Sequence, residues 1–150
     1  MKKIISVLIG AILIFALIGC GSKKAMTVED FESKMGKNGY EVINITSQYP
    51  SKAIKDVIIA RKNGYQIEFF VVENVDVAVS SYNLNKETFE KSKGNKSVQT
   101  QKTMGNTSRF TLKANAKYKV ISRIENTFIF INAPQEKSEE IDTVLKELNY

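Results

Sequence analysis

The sequence predicts an α+β domain built on a mainly antiparallel sheet, and three observations predict it. Asn63-Gly64 separates two apolar runs, Glu125-Asn126 separates two more, and helical apolar spacing recurs at the beginning, the middle and the end of the chain. Asn-Gly is the strongest short hairpin signal, because both residues accept the left-handed backbone that a two-residue turn requires. Hairpins make neighbouring strands antiparallel, so the economical arrangement is a sheet with the helices packed on one face.

Thr27 followed by Asp30 makes a capping-box-like start, and Met26 with Phe31 has the spacing of a hydrophobic staple. A first helix is expected from about Val28 to Met35, with Val28, Phe31 and Met35 on one face and Gly36 or Gly39 as its stop. Tyr40 to Thr46 alternates as a strand does, and Val57 to Arg61 and Tyr65 to Val72 form the hairpin around Asn63-Gly64. Asn74 can cap a short helix through Val75, Ala78, Val79 and Tyr82.

From Asn85 to Ser108 the only large apolar residues are Phe89, Val98 and Met104, so a frayed helix end, a loop and an exposed edge strand are expected. Arg109 to Leu112, Tyr118 to Ile124 and Thr127 to Ile131 are the remaining strands. The last of these is apolar at nearly every position, as a central strand would be. Ile141, Val144, Leu145 and Leu148 stripe a closing helix. Ile59, Ala60, Arg61, Gly64 and Ile67 can be laid over Ile121, Ser122, Arg123, Asn126 and Ile129. Either a duplicated strand-strand-helix unit or convergent hairpin grammar accounts for that echo.

At 150 residues and 43% hydrophobic content the chain holds one core plus an export segment. Cys20 is the only cysteine and there is no histidine. Thiolate or imidazole zinc sites, Cys/His nucleophile pairs and histidine bases are therefore excluded, and neither metal nor cofactor is expected. An internal disulfide is excluded for the same reason.

Lys2 and Lys3 precede an uncharged run from Ile4 to Gly19. Its sixteen residues would span about 24 Å as a helix, less than a ~30 Å hydrocarbon core. A basic start, an apolar run and a small residue before a cleavage point make a secretory signal. Leu17, Ile18, Gly19 and Cys20 end it. These residues resemble the lipobox of bacterial lipoproteins: Leu17 stands third before the cysteine, Gly19 is the small residue just before it, and Ile18 is bulkier than that position usually carries. The resemblance implies that Cys20 receives a diacylglycerol thioether and becomes the mature N-terminus, outside the cell membrane. Two acyl chains hold a protein durably, at about 0.8 kcal/mol per buried CH₂. The division expected is a signal peptide at 1–19, a lipidated cysteine and tether at 20–25, and one exported domain at 26–150. The overall plan resembles that of many small lipoproteins of low-GC monoderm bacteria.

Charge is unevenly placed. Residues 85–123 carry ten basic residues against Glu87 and Glu90, while the segments on either side are net acidic. Lys86, Lys91, Lys93, Lys96, Lys102, Arg109 and Lys113 form the candidate patch for an anionic partner outside the cell, such as headgroups, an anionic polymer or an acidic protein surface. A solvated edge is the competing explanation, because lysines on edge strands also block aggregation and alternate residues point to opposite faces. Nucleic acid fits poorly, since the segment lacks interleaved aromatics for stacking.

Catalysis would have to use a carboxylate pair or a Ser/Lys dyad. Glu68, between Ile67 and Phe69, is expected to pair with Arg61 across the hairpin, and Arg123 to be held the same way in the second hairpin. Tyr65, Phe69, Phe70, Phe128 and Phe130 are expected in the core rather than around a ligand. The expectation is thus a lipid-anchored, non-catalytic binding domain, with a small-ligand carrier or an enzyme as the alternative.

Overall fold

The computed structural model describes residues 22–150. Leu17, Ile18, Gly19 and Cys20, with the rest of the expected signal, lie outside the described residues. The order of elements is α1 (Val28–Lys37), β1 (Glu41–Asn44), β2 (Ile54–Lys62), β3 (Tyr65–Val72), α2 (Val75–Lys91), β4 (Val98–Met104), β5 (Thr107–Ala114), β6 (Lys117–Ile124), β7 (Thr127–Pro134) and α3 (Ser138–Glu147). The strands form one seven-stranded sheet in the order β1-β2-β3-β7-β6-β5-β4, antiparallel throughout. The fold is α+β with an antiparallel sheet, and the all-apolar strand expected at the centre is β7, fourth of the seven.

Local chemistry sets most boundaries. The Thr27 hydroxyl accepts from the Asp30 N–H at 3.2 Å and opens α1, and the Asn74 side chain accepts from the Val77 N–H at 3.0 Å and opens α2. Each cap satisfies one of the donors a helix leaves free in its first turn. Asn63 and Gly64 both have positive φ, 51° and 82°, so Lys62 pairs with Tyr65 directly across the turn. α2 runs on to Lys91 instead of fraying after Asn85, because Phe89 extends the buried stripe begun by Ala78 and Tyr82.

The helices do not share one face, which corrects the expectation. Ile58 and Ala60 of β2 belong to a core with Phe31 and Met35 of α1 and Ile141, Val144, Leu145 and Leu148 of α3. Val57 and Ile59, pointing the other way, belong to a second core with Ala78, Tyr82 and Phe89 of α2. The cause is the continuous apolar run in β2, buried at all four positions from Val57 to Ala60. A strand apolar on both alternations needs a cover on both sides. The face carrying α1 and α3 is called face 1 below, and that carrying α2 face 2. Phe31 stacks on Phe69 at 4.8 Å in the first core, and Phe70 on Phe128 at 4.5 Å in the second.

The echo between the hairpins survives in the strands only. Ile67 pairs with Ile131 and Phe69 with Ile129, on either side of the Glu68–Phe130 pair. Exchanging β3 for β7 and β2 for β6 therefore maps the ladder onto itself. The helices that follow break this symmetry, α2 lying on face 2 and α3 on face 1.

Candidate functional site

The sheet divides the candidate basic residues. Lys86 and Lys91 lie on α2, where the Lys86 ammonium stands 5.9 Å from the Phe110 ring centre and Lys91 pairs with Glu87 at 2.7 Å in an exposed helical ion pair. Lys93 and Lys96 lie in the exposed loop between α2 and β4. Lys102, Arg109 and Lys113 come together. In the β4–β5 register Lys102 is opposite Arg109, Thr100 opposite Thr111, and Val98 opposite Lys113, and directly opposed residues point to the same face.

All of these but Lys102 bound a groove on face 1. Its volume is about 430 Å³, its strand side is formed by Thr100, Thr111, Arg109, Lys113 and, from β6, Tyr118, and Asp142 of α3 completes the lining. The two threonine hydroxyls bond to each other at 2.7 Å. The Lys113 ammonium lies 5.3 Å from the centre of the Tyr118 ring. Arg109 also borders a smaller adjoining cavity, about 170 Å³, with Lys23, Lys102 and Met104. The result is a shelf with cations along its length and hydroxyls between them.

Two cations directly opposite on neighbouring strands repel. Asp142 offsets this from α3: its Oδ1 accepts from Arg109 Nη2 at 2.6 Å and from the Tyr118 hydroxyl at 2.6 Å. Burial, and then the bond to this carboxylate, push the Tyr118 hydroxyl up to about 12. Arg109 Nη1 donates in addition to the Tyr150 carbonyl at 3.3 Å. Among the described residues neither Lys102 nor Lys113 forms an ion pair.

The chain reaches this shelf from its N-terminal side. The Lys23 N–H donates to Asn106 Oδ1 at 3.0 Å, and Asn106 Nδ2 donates back to the Lys23 carbonyl at 2.6 Å. This reciprocal pair ties the start of the domain to the β4–β5 turn. It could not be read in the sequence, where the two residues lie in separate segments.

The other candidates resolve differently. Glu68 does not pair with Arg61, because the register sets Arg61 opposite Gln66 and Glu68 opposite Ile59. Gln66 bridges them instead, accepting from Arg61 Nε at 3.3 Å and donating to Glu68 Oε1 at 2.7 Å. They line an open groove of about 690 Å³ on face 2, with Glu41 and Lys62 adding one charge of each sign. Arg123 is 7% exposed, and its Nη1 donates at 3.1 Å to the Glu125 carbonyl rather than to a carboxylate. Tyr65, Phe69, Phe70 and Phe128 are buried core residues, as expected. Phe130 is half-buried, 5.4 Å from Phe89.

A serine and a lysine do meet. Lys119 Nζ donates to Ser92 Oγ at 2.6 Å, and the Ser92 hydroxyl donates to the Phe89 carbonyl at 2.7 Å. The geometry is that of a helix end: the hydroxyl and the ammonium satisfy the last turn of α2, where the dipole favours a cation. A nucleophilic serine would need its proton aimed at the amine.

Among the described residues no group of three or more Asp, Glu, Cys or His side chains could hold a metal ion. No helix among them is long and apolar enough to cross a membrane. Comparison of the chain with family models, curated proteins and solved structures finds no match.

Proposed function

We propose that the protein is a lipoprotein held at the outer face of a bacterial cell membrane by lipid on Cys20, and that its domain is a non-catalytic binding module taking anionic groups on the β4–β5 shelf. The observation that carries this reading is the docking of Lys23 beside Lys102 and Arg109. Only Gly21 and Ser22 separate Cys20 from Lys23, and an extended chain covers at most about 11 Å over those three steps. Lipid on Cys20 therefore brings the membrane surface to the end of the shelf where the cations lie. Anionic headgroups are then the nearest partner of matching charge, and their phosphates suit the donors of Arg109, Lys102 and the threonines. The groove offers no exposed aromatic platform for nucleobases, since Tyr118 is buried.

An enzyme using Ser92 and Lys119 is the second reading, favoured by their 2.6 Å separation. The direction of the serine proton, toward a helix carbonyl, weighs against it.

The test is vesicle retention of residues 22–150 made without the anchor. Retention on anionic vesicles is expected to exceed that on zwitterionic ones, to fall with added salt, and to fall further in a Lys102→Glu, Lys113→Glu variant. Equal retention on both vesicle types, or a variant that binds as the parent does, would remove the shelf from consideration.

A further inference from the structure

The two edges of the sheet are unlike. β1 has four residues, two of them half-buried, whereas β4 has seven, all exposed. Among the described residues β4 pairs on one side only. Of the usual protections of an open edge it carries one, the charge at Lys102, and it has no proline and no bulge in its ladder with β5. It also carries two of the four exposed large hydrophobic residues among those described, Val98 and Met104, at 66% and 51% exposure.

We infer that this edge is a homodimer interface, on which β4 of a second copy adds antiparallel about a twofold axis through Gln101. The strand's own sequence selects the occupant and the register. Centred on Gln101, Val98 meets Met104 of the other copy, and Thr100 meets Lys102. Gln99 meets Thr103, and the two Gln101 amides, each donor and acceptor, meet each other. Both exposed apolar side chains are thus covered twice over, on face 1, and no like charges oppose. Moving the centre to Thr100 sets Val98 against Lys102 and leaves Met104 without a partner. Moving it to Lys102 sets the two lysines against each other. Only one of these registers is self-complementary, and its product is a sheet of both copies continuous across the twofold.

The inference concerns the outer edge of β4 and does not depend on the anionic shelf. The test is sedimentation equilibrium of the full chain in density-matched detergent, with Thr100 as the probe because it is exposed and opposes Lys102 of the partner. Thr100→Glu creates two opposite-charge pairs in the dimer and is expected to lower the dissociation constant about fivefold; Thr100→Lys creates two like-charge pairs and should raise it by about as much. A short amine cross-linker should join Lys102 to Lys102 of the other copy, their positions being diagonal neighbours across the edge. A chain that stays monomeric at all concentrations, or an association that both substitutions leave unchanged, overturns the inference. Lys113→Glu separates the two readings, since Lys113 lies on β5 away from the outer edge: it should weaken vesicle retention and leave the dimer intact.

Discussion

Replacing Asp142 by asparagine should weaken the fold and strengthen anion binding, two effects of opposite sign from one atom. The Asp142 carboxylate holds Arg109 and the Tyr118 hydroxyl at 2.6 Å each. The pair with Arg109 is substantially exposed, with side-chain exposures of 30% and 47%, so its loss costs only about 0.2–1 kcal/mol. Turning the acceptor of the buried Tyr118 hydroxyl from charged to neutral adds about 1 kcal/mol. Together these lower stability by about 1–2 kcal/mol, or a melting temperature by about 4–8 °C for a domain of this size. On the binding side, the substitution removes the only carboxylate among the described residues of the groove lining. A negative charge about 7 Å from a bound anion, partly screened at 0.1 M salt, opposes binding by roughly 0.3–0.6 kcal/mol. Vesicle affinity should therefore rise about twofold. Calorimetric melting and vesicle co-sedimentation on the same preparation read both numbers. If affinity falls or stays level while the melting temperature drops, Arg109 is a structural cation only and the anion does not sit beside it.

Two further outcomes follow from the chemistry of single residues. Cys20→Ser should abolish acyl labelling and release the protein from the membrane fraction; unchanged labelling would remove the anchor and with it the argument that places the shelf at the membrane. The buried tyrosines give the fold an alkaline limit: burial first of all pushes Tyr118 and Tyr150 up to about 12 from 10.0 and raises Tyr40 as well. The unfolded chain, with tyrosines ionising near 10, loses these protons first. Their contribution is complete below pH about 10 and disappears as pH rises through about 12. A tyrosinate absorbance titration should show these side chains ionising late and together with unfolding, and ordinary ionisation in a chain that stays folded would contradict the burial argument.

Much of the candidate site lay in view of the sequence, but in pieces. The basic excess of residues 85–123 was plain, yet which cations share a surface depended on the β4–β5 register, which brings Lys102, Arg109 and Lys113 together and leaves Lys86 and Lys91 on α2. Asp142 gave no local sign of its role, because its partners Arg109 and Tyr118 are far from it along the chain. The Glu68 expectation shows how fine the dependence is. A hairpin through Asn63-Gly64 was foreseen, but the turn sets Arg61 opposite Gln66, one side-chain step short of Glu68, and so the expected ion pair became a relay through an amide.

What the sequence determined by itself is what neighbouring residues settle between them: the caps at Thr27 and Asn74, the positive-φ turn at Asn63-Gly64, the seven strands and the exposed edge near Val98. Each depends on hydrogen bonds or sterics spanning a few residues, and those energies are the same wherever the segment ends up. Only the tertiary structure decided which side of the sheet each helix covers, which charges meet, and how Lys23, ahead of α1, docks against the β4–β5 turn. Those are contacts between segments distant in the chain, and an apolar stripe or a lysine carries no label for the surface it will meet.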